Sequence, residues 1–340
     1  MVIGRNEGER LRTCLRALSP LGIPAVYVDS GSSDGSCETA SSIGAKVVEL
    51  DTSVPFTAAR ARNAGVKQFL SQDCPPKYVQ FLDGDCELVD GWIEQARDHL
   101  ESAEEIVAVC GRRRERFPGA SIYNLIIDLE WDTPCGPTLS FGGDAMVRLS
   151  ALESVGAFDE SVAAGEEPEL CDRLRKRGGS IERIDVEMTL HDADISSFSQ
   201  WWKRHLRSGY GGLDVRRRKG VAVFDRELES SRRWTVCWLS LSLVLACILG
   251  WQLGWEGLAI GCLLGITAWF AQTFRLARYY HRHKFSWFDA ARAAVISMIV
   301  KWANLAGQIR YLLDSRSGRV SRMIEYKRKQ QPPIASGFLR

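Results

Sequence analysis

The sequence predicts an α/β fold: a doubly wound sheet, mixed but mainly parallel, followed by a membrane-directed helical hairpin and a further helix. Three observations predict it. Short apolar runs alternate with helical spacings through residues 1–100 in a βαβαβ rhythm. Three of those apolar runs end in polar residues, at Gly4-Arg5-Asn6-Glu7, Asp29-Ser30 and Asp83-Gly84-Asp85. Beyond residue 233 two charge-free apolar stretches stand between clusters of basic residues.

The elements follow in order. Val2-Ile3 is a strand end, so short that either the strand is clipped or the chain starts downstream of its true beginning. Leu11, Leu15 and Leu18 give helical spacing over Glu9 to Leu18. Ala25 to Val28 is a strand ending at Asp29, and a helix from Cys37 to Ile43 stops at Gly44. Lys46 to Leu50 reads as a strand, Thr57 to Leu70 as a helix, and Tyr78 to Leu82 as a strand running into Asp83. Ile106 to Cys110 is a strand; Gly142-Gly143-Asp144 turns into another. Ser150 to Val155 is a short helix, and Gly165-Glu166-Glu167-Pro168-Glu169-Leu170 opens a helix through Arg177. In doubly wound sheets ligands collect beyond the carboxyl ends of strands, so the three polar strand ends converge on one crevice.

Trp234 to Gly250 is about 17 residues without a charge, and Leu258 to Phe274 is about as long, near the roughly 20 that span a bilayer. Arg232-Arg233 precede the pair; Arg275, Arg278, His281, Arg282, His283 and Lys284 follow it. Both basic flanks belong in the cytoplasm, which gives a hairpin with its tip outside. The competing reading is a buried helical pair in a soluble domain. Residues 285–313 are apolar but carry Asp289, Arg292, Lys301 and Arg310, which suits an interfacial helix better than a third span. The expected division is a catalytic domain over 1–200, a basic amphipathic connector over 201–232, the hairpin over 233–275, the further helix over 285–313, and a basic tail over 314–340.

Composition narrows the function. The 340 residues suit one large α/β domain with an appendage. Hydrophobic residues at 45% and charged residues at 25% exclude wholesale disorder, and a net charge of +2 argues for no nucleic-acid partner. Ten cysteines without a CxxC pair exclude a zinc knuckle and read as free thiols in a reducing cytosol.

Asp83-Gly84-Asp85 carries the chemistry. Breaking the glycosidic bond of a nucleotide sugar leaves negative charge on the departing phosphate, which a divalent ion neutralises. Mg²⁺ and Mn²⁺ prefer carboxylate oxygens. Two aspartates one residue apart at a strand end put one carboxylate on the ion and the other near the ribose or the ion's waters. Gly84 lets the backbone pass close to the donor.

Six ordered segments, Val2-Ile3-Gly4-Arg5-Asn6-Glu7, Val28 to Gly35, Ala61-Arg62-Asn63-Ala64-Gly65, Phe81-Leu82-Asp83-Gly84-Asp85, Gly142-Gly143-Asp144 and Gly165 to Leu170, resemble the inverting, membrane-attached family 2 glycosyltransferases of the GT-A fold. The resemblance covers roughly residues 1–190. It implies a nucleotide pocket lined by Gly4, Arg5, Asn6 and Glu7, with Asp29 and Ser30 toward the base or ribose. It implies that Arg62 and Asn63 help hold the nucleotide, that Asp83 and Gly84 line the donor, and that Asp144 sits near the sugar or acceptor. Asp85 becomes the principal metal ligand, with Asp83 beside it and His191 as an extra ligand, while a lone histidine also suits a structural role. The family's base is usually an aspartate; Glu167 occupies its place, with Glu166 or Glu169 as substitutes. Inversion requires one carboxylate to take the acceptor's proton. The same pair also suits a first helical turn for dipole reasons alone. Gln200-Trp201-Trp202-Lys203-Arg204 loosely resembles, in scrambled order, a helix of processive polysaccharide synthases; Trp202 could stack on a sugar and Arg204 pair with a phosphate, or the segment is an amphipathic surface helix.

The expected function is therefore transfer from a nucleoside-diphosphate sugar, UDP by default, to a lipid-linked or glycan acceptor at the cytoplasmic membrane, with the catalytic domain facing the cytoplasm. A processive polysaccharide synthase subunit is the alternative, though two spans are few for a polymer channel. A sugar-nucleotidyltransferase needs a glycine-rich basic loop at the first strand, which Gly4-Arg5-Asn6-Glu7 is not.

Overall fold

A computed structural model describes residues 1–318; the part of the expected basic tail from 319 to 340 lies outside the described residues. Among the described residues the chain forms two compact units, one from Met1–Phe117 and Glu130–Asp194, the other from Pro118–Leu129 and residues 195–318. The boundary expected at residue 200 falls inside a helix.

The first unit runs β1 (Val2–Gly4), α1 (Glu9–Leu18), β2 (Val26–Asp29), α2 (Ser36–Ser42), β3 (Lys46–Glu49), α3 (Ala58–Leu70), β4 (Tyr78–Asp83), β5 (Cys86–Leu88), α4 (Trp92–Ser102) and β6 (Ile106–Glu115). The chain then makes α5 (Ile122–Trp131), which contributes its residues through Leu129 to the second unit. It returns through β7 (Gly136–Pro137), β8 (Ala145–Arg148), α6 (Leu149–Ser154), α7 (Glu166–Lys176) and β9 (Ser180–His191).

One sheet holds these strands in the order β3-β2-β1-β4-β8-β6-β9-β5, with β7 also on β9. β3, β2, β1 and β4 are mutually parallel. The sheet is mixed beyond that point: β6 and β9 are parallel, but β8 runs antiparallel to both β4 and β6, and β5 and β7 run antiparallel to β9. After β5 the chain crosses through α4 to β6, one place beyond β4, and the later β8 fills the gap between them in the opposite direction.

The parallel half sets the site. Gly4 is in register with Asp29, and Ile3 with Asp83, so three polar strand ends lie side by side at one edge. Strand order reverses direction at β1, which makes the gap between β1 and β4 the natural ligand crevice. Val2, Tyr27, Val28, Phe81 and Leu82 are fully buried beneath it. α3 sits so close to β1 that a Cβ on Gly65 would overlap the Met1 side chain.

The second unit contains α8 (Phe198–Lys219), α9 (Asp225–Arg232), α10 (Trp238–Leu253), α11 (Trp255–Arg282) and α12 (Trp287–Arg316). Ser197 and Gln200 form a capping box that starts α8. α8 and α12 cross with backbones nearly touching: a Cβ on Gly209 would strike the Asn304 carbonyl, and one on Gly307 the Leu206 carbonyl. A π turn over Arg233–Cys237 joins α9 to α10. Among the described residues two helices are long and apolar enough to cross a membrane, Asp225–Leu253 and Trp255–Arg282, with 18-residue stretches of mean hydropathy 2.0 and 1.5. They meet through Gly257, Gly261 and Gly265, spaced four apart, against Leu249, Ala246 and Ser242. Their reversal is at Gly254, with φ +67°. Trp251 and Trp255 beside it are 91% and 78% exposed, so the pair is not the buried core of a soluble domain. α12 is one continuous helix of 30 residues. Ala290, Ala294, Ala303, Asn304, Gly307 and Gln308 face inward, while Phe288, Val295, Ile299, Trp302, Ile309 and Leu313 form an exposed apolar stripe.

Candidate active site

The turns after β1 and β2 hold each other. Asn6 adopts a left-handed backbone at φ +56°, tolerated by its short polar side chain. Its Oδ1 accepts from the Ser33 amide at 2.8 Å, and its own amide donates to Ser32 Oγ at 2.9 Å. Asp29 is 2% exposed. Its Oδ2 accepts from the amides of Gly31 and Ser32 at 2.8 and 2.7 Å, and its Oδ1 accepts from the Tyr27 hydroxyl at 2.8 Å. Ser30 is buried and donates its amide to the Gly4 carbonyl. Arg5 lies exposed over the Phe56 ring. Glu7 is buried against Arg10 at 2.9 Å. Gly84 donates to the Ile3 carbonyl at 2.8 Å, and a Cβ on it would press on that carbonyl and on Glu7.

At the end of β4, Asp83 is gripped by two arginines. Arg62 from α3 reaches Oδ1 at 3.0 Å, and Arg113 from β6 reaches Oδ2 at 3.4 Å. Asp144 lies beneath. It accepts from the Asp83 amide at 3.1 Å, from Arg113 at 2.7 Å and from the Thr189 hydroxyl at 2.9 Å. With 1% exposure Asp144 braces the turn from inside the fold. Gly143 is compact of necessity, since a Cβ there would come 2.5 Å from Asp83 Oδ2.

Asp85 points inward. Register pairing of Cys86 with His191 brings the end of β9 to it, and His191 Nε2 lies 3.4 Å from Asp85 Oδ2. The other ring nitrogen faces Glu115 at 3.7 Å, and Trp131 packs edge-on against the imidazole. Burial works against charge on His191, but Asp85 and Glu115 outweigh it and raise its proton affinity. Ligand atoms of Asp85, Cys86 and His191 lie within 4.8 Å of one another. The Cys86 thiol, buried among Asp144, Asp85 and Asp83, is held well above its usual range, so the accessible donors are a carboxylate and an imidazole backed by Glu115. Asp83, held by Arg62 and Arg113, is not in that cluster; the carboxylate and the imidazole on their own suit a divalent ion.

The acidic pair opens α7. Gly165 turns the chain with φ +91°, and Glu166 and Glu167 take the first two helical positions. Arg62 Nη1 contacts Glu166 at 2.9 Å and Glu167 at 3.1 Å. One guanidinium thus spans Asp83 and both glutamates. Burial first, then the charge of Glu166, pushes the Glu167 carboxyl up to about 7 against the pull of Arg62. Glu169 faces elsewhere, in a two-pronged pair with Arg173 at 2.7 and 2.8 Å. Asn63 clamps the backbone of Phe158, donating to its carbonyl at 2.8 Å and accepting from its amide at 2.9 Å. Trp202 and Arg204 belong to α8 in the second unit, where Arg204 stacks on Trp201.

Sequence reading overlooked Arg113, Glu115, Arg10 and Tyr27. Arg113 had a signal: it is the middle of three arginines ending an apolar strand, and strand alternation turns it to the face opposite Arg112 and Arg114.

Comparison with known proteins follows this geometry. Residues 1–135 match the sequence profile of Glycosyl transferase family 2. Residues 1–135 thus carry that family's sequence signature. It is 27% identical over 222 residues to a pre-mycofactocin glycosyltransferase of Mycobacterium tuberculosis, a match covering 61% of this chain and 44% of that protein. The chain thus spans about half the length of the relatives it matches. Among solved structures it resembles the mannosyltransferase PcManGT of Pyrobaculum calidifontis, in complex with GDP-Man and Mn²⁺, at 15% identity and TM-score 0.56, over 92% of this chain and 86% of that one. That likeness shows the fold, a mixed α/β sheet of the GT-A kind. A weaker likeness, with TM-score 0.47 at 20% identity over 65% of this chain and 79% of that one, is to glucosyl-3-phosphoglycerate synthase of Mycobacterium tuberculosis.

Proposed function

We propose that the first unit transfers a sugar from a nucleoside-diphosphate sugar to an acceptor hydroxyl with inversion, assisted by Mg²⁺ or Mn²⁺. The observation that carries this reading is Arg62, whose guanidinium ties the Asp83 end of the donor clamp to the Glu166–Glu167 pair. Donor-side and acceptor-side carboxylates are thereby held in one fixed array.

Asp29, Asn6 and the loop between them offer the nucleotide a shaped, already hydrogen-bonded rim. Asp85 and His191 would hold the ion, which when bound neutralises charge developing on the leaving diphosphate. Glu167 takes the acceptor hydroxyl's proton as the new oxygen–carbon bond forms and the bond from the anomeric carbon to the diphosphate breaks. A carboxyl pushed up to about 7 is well matched to that task near neutral pH. Glu166, 4% exposed and paired with Arg62, fixes the arginine.

The acceptor is lipid-linked or a glycan delivered at the membrane. The two apolar helices support this, and the basic residues flanking them favour a cytoplasmic position for the catalytic unit. The exposed stripe of α12 suits an interfacial position. UDP is the default carrier, and the GDP-mannose bound by PcManGT makes GDP the other nucleotide to test.

Purified protein with Mn²⁺ is expected to bind UDP or GDP and to split one sugar of a nucleotide-sugar panel. Asp85→Ala should abolish metal-dependent nucleotide binding by calorimetry. Wild-type binding of metal and nucleotide by that variant would end the proposal.

A further inference from the structure

The basic end of α11 has no part in the reaction above. It lines a cleft of about 630 Å³ bounded by Ala271, Phe274, Arg275, Arg278 and Arg282 of α11, with Arg226 of α9 on the other side. Of the seven α11 residues that line it, these five are spaced three, one, three and four apart and share one helix face. The face is graded. Ala271 and the 59% exposed Phe274 form its apolar end, and three arginines follow within two turns.

Length places this gradient against a bilayer. Trp255 to Phe274 is about 20 residues, or about 30 Å of helix, the thickness of a hydrocarbon core. Arg275 then falls where acyl chains give way to headgroups. The cluster is also uncompensated. Arg216 and Arg218 in the same unit pair with Asp225 and Asp214, whereas among the described residues no carboxylate lies within 4 Å of Arg226, Arg275, Arg278 or Arg282. Four neighbouring guanidinium groups repel one another unless an anion sits among them. Their flat, forked donors match the oxygens of a phosphate.

We propose that this cleft binds the phosphate headgroup of an anionic lipid, with the lipid's tail lying along Phe274 and Ala271. Basic pockets at the cytoplasmic edge of membrane helices hold such headgroups by this chemistry. The proposal rests on α10 and α11 crossing a membrane and is independent of sugar transfer.

The test uses the full chain purified in detergent, titrated with dioctanoyl phosphatidic acid, dioctanoyl phosphatidylcholine or inorganic phosphate, and followed by native mass spectrometry and thermal melting. Phosphatidic acid is expected to bind and raise the melting temperature, with the other two at least about tenfold weaker. The triple variant Arg275→Gln, Arg278→Gln, Arg282→Gln should lose about tenfold or more in phosphatidic acid affinity. Arg310→Gln, on α12, should lose none. UDP or GDP binding by each variant reports an intact fold separately. Equal binding of the choline lipid, full affinity in the triple variant, or inorganic phosphate binding as tightly as the lipid would each overturn the proposal.

Discussion

The arginines of the two units are used in opposite ways. In the catalytic unit Arg62 and Arg113 are enclosed, and each touches two or more carboxylates. On α11, Arg275, Arg278 and Arg282 are exposed and touch none. A buried guanidinium surrounded by acids is already satisfied. It cannot recruit a ligand without breaking something, so its work is to fix where the carboxylates stand. An exposed guanidinium among its own kind is the reverse: it contributes nothing to folding and is receptive to whatever anion arrives. Counting basic residues along a sequence does not separate these two uses; burial and partnership do.

The contrast is broken most severely from the inside. Arg113→Ala leaves Asp144 buried without its cation and Asp83 with Arg62 alone, and should cost about 3 to 5 kcal/mol in the urea unfolding of the catalytic unit. A loss under 1 kcal/mol would mean that these carboxylates are solvated or protonated and that the arginine is dispensable. Glu167→Gln comes next, acting on rate rather than fold. It should lower kcat by about 100- to 10,000-fold while nucleotide binding stays intact, and unchanged turnover would move the base elsewhere.

The pH profile sharpens the same point. An ordinary carboxylate is ionised throughout the neutral range, but Glu167 is pushed up to about 7 by burial and by Glu166. Only the ionised form accepts a proton, so kcat/KM should fall about tenfold per pH unit as pH drops below about 7. A wild-type profile that stays flat down to pH 5 would show that this group does not set the rate. The smallest effect is predicted outside: Arg275→Gln, Arg278→Gln and Arg282→Gln should each leave stability within about 0.5 kcal/mol, because no buried partner is orphaned. A large loss in any of them would show that the cleft is structural.

Much of the catalytic half was legible. Strands from Tyr27 to Leu82 are apolar runs with polar ends, and parallel strands buried on both faces write themselves that way. Asp29, Asp83, Asp85 and Glu167 could be picked out because they stand where those runs or a helix begin and stop. The other half of the sheet was harder. β9 carries Glu182, Arg183, Asp185 and Glu187 among its apolar residues, and reads as loop until β6 is set beside it. Arg112 then meets Asp185 and Arg114 meets Glu187 across the pair, each charge answered by a neighbour far away in sequence. His191 owes its place to that same strand, so its approach to Asp85 could be stated only as a resemblance. Asp144 and Asn63 were expected at the ligand; the partners that also hold them, Asp83 and Thr189 for the one and the Phe158 backbone for the other, are displayed by no motif.

The excursion of the chain through Pro118–Leu129 has a practical consequence. The catalytic unit is not a continuous stretch of sequence: between β6 and β8 the polypeptide leaves it to supply α5, and only then comes back. Ile122, Ile126 and Ile127 are buried, and Tyr123 packs on Trp201. A ribosome emits α5 well before α8 exists to receive it, so those isoleucines must wait in solvent or under a chaperone during synthesis. Cutting the gene after Asp194 to obtain a soluble enzyme would make that wait permanent. Replacing residues 118–129 by a short polar loop in the same step, with Trp131 kept against His191, is the way to release the catalytic half intact.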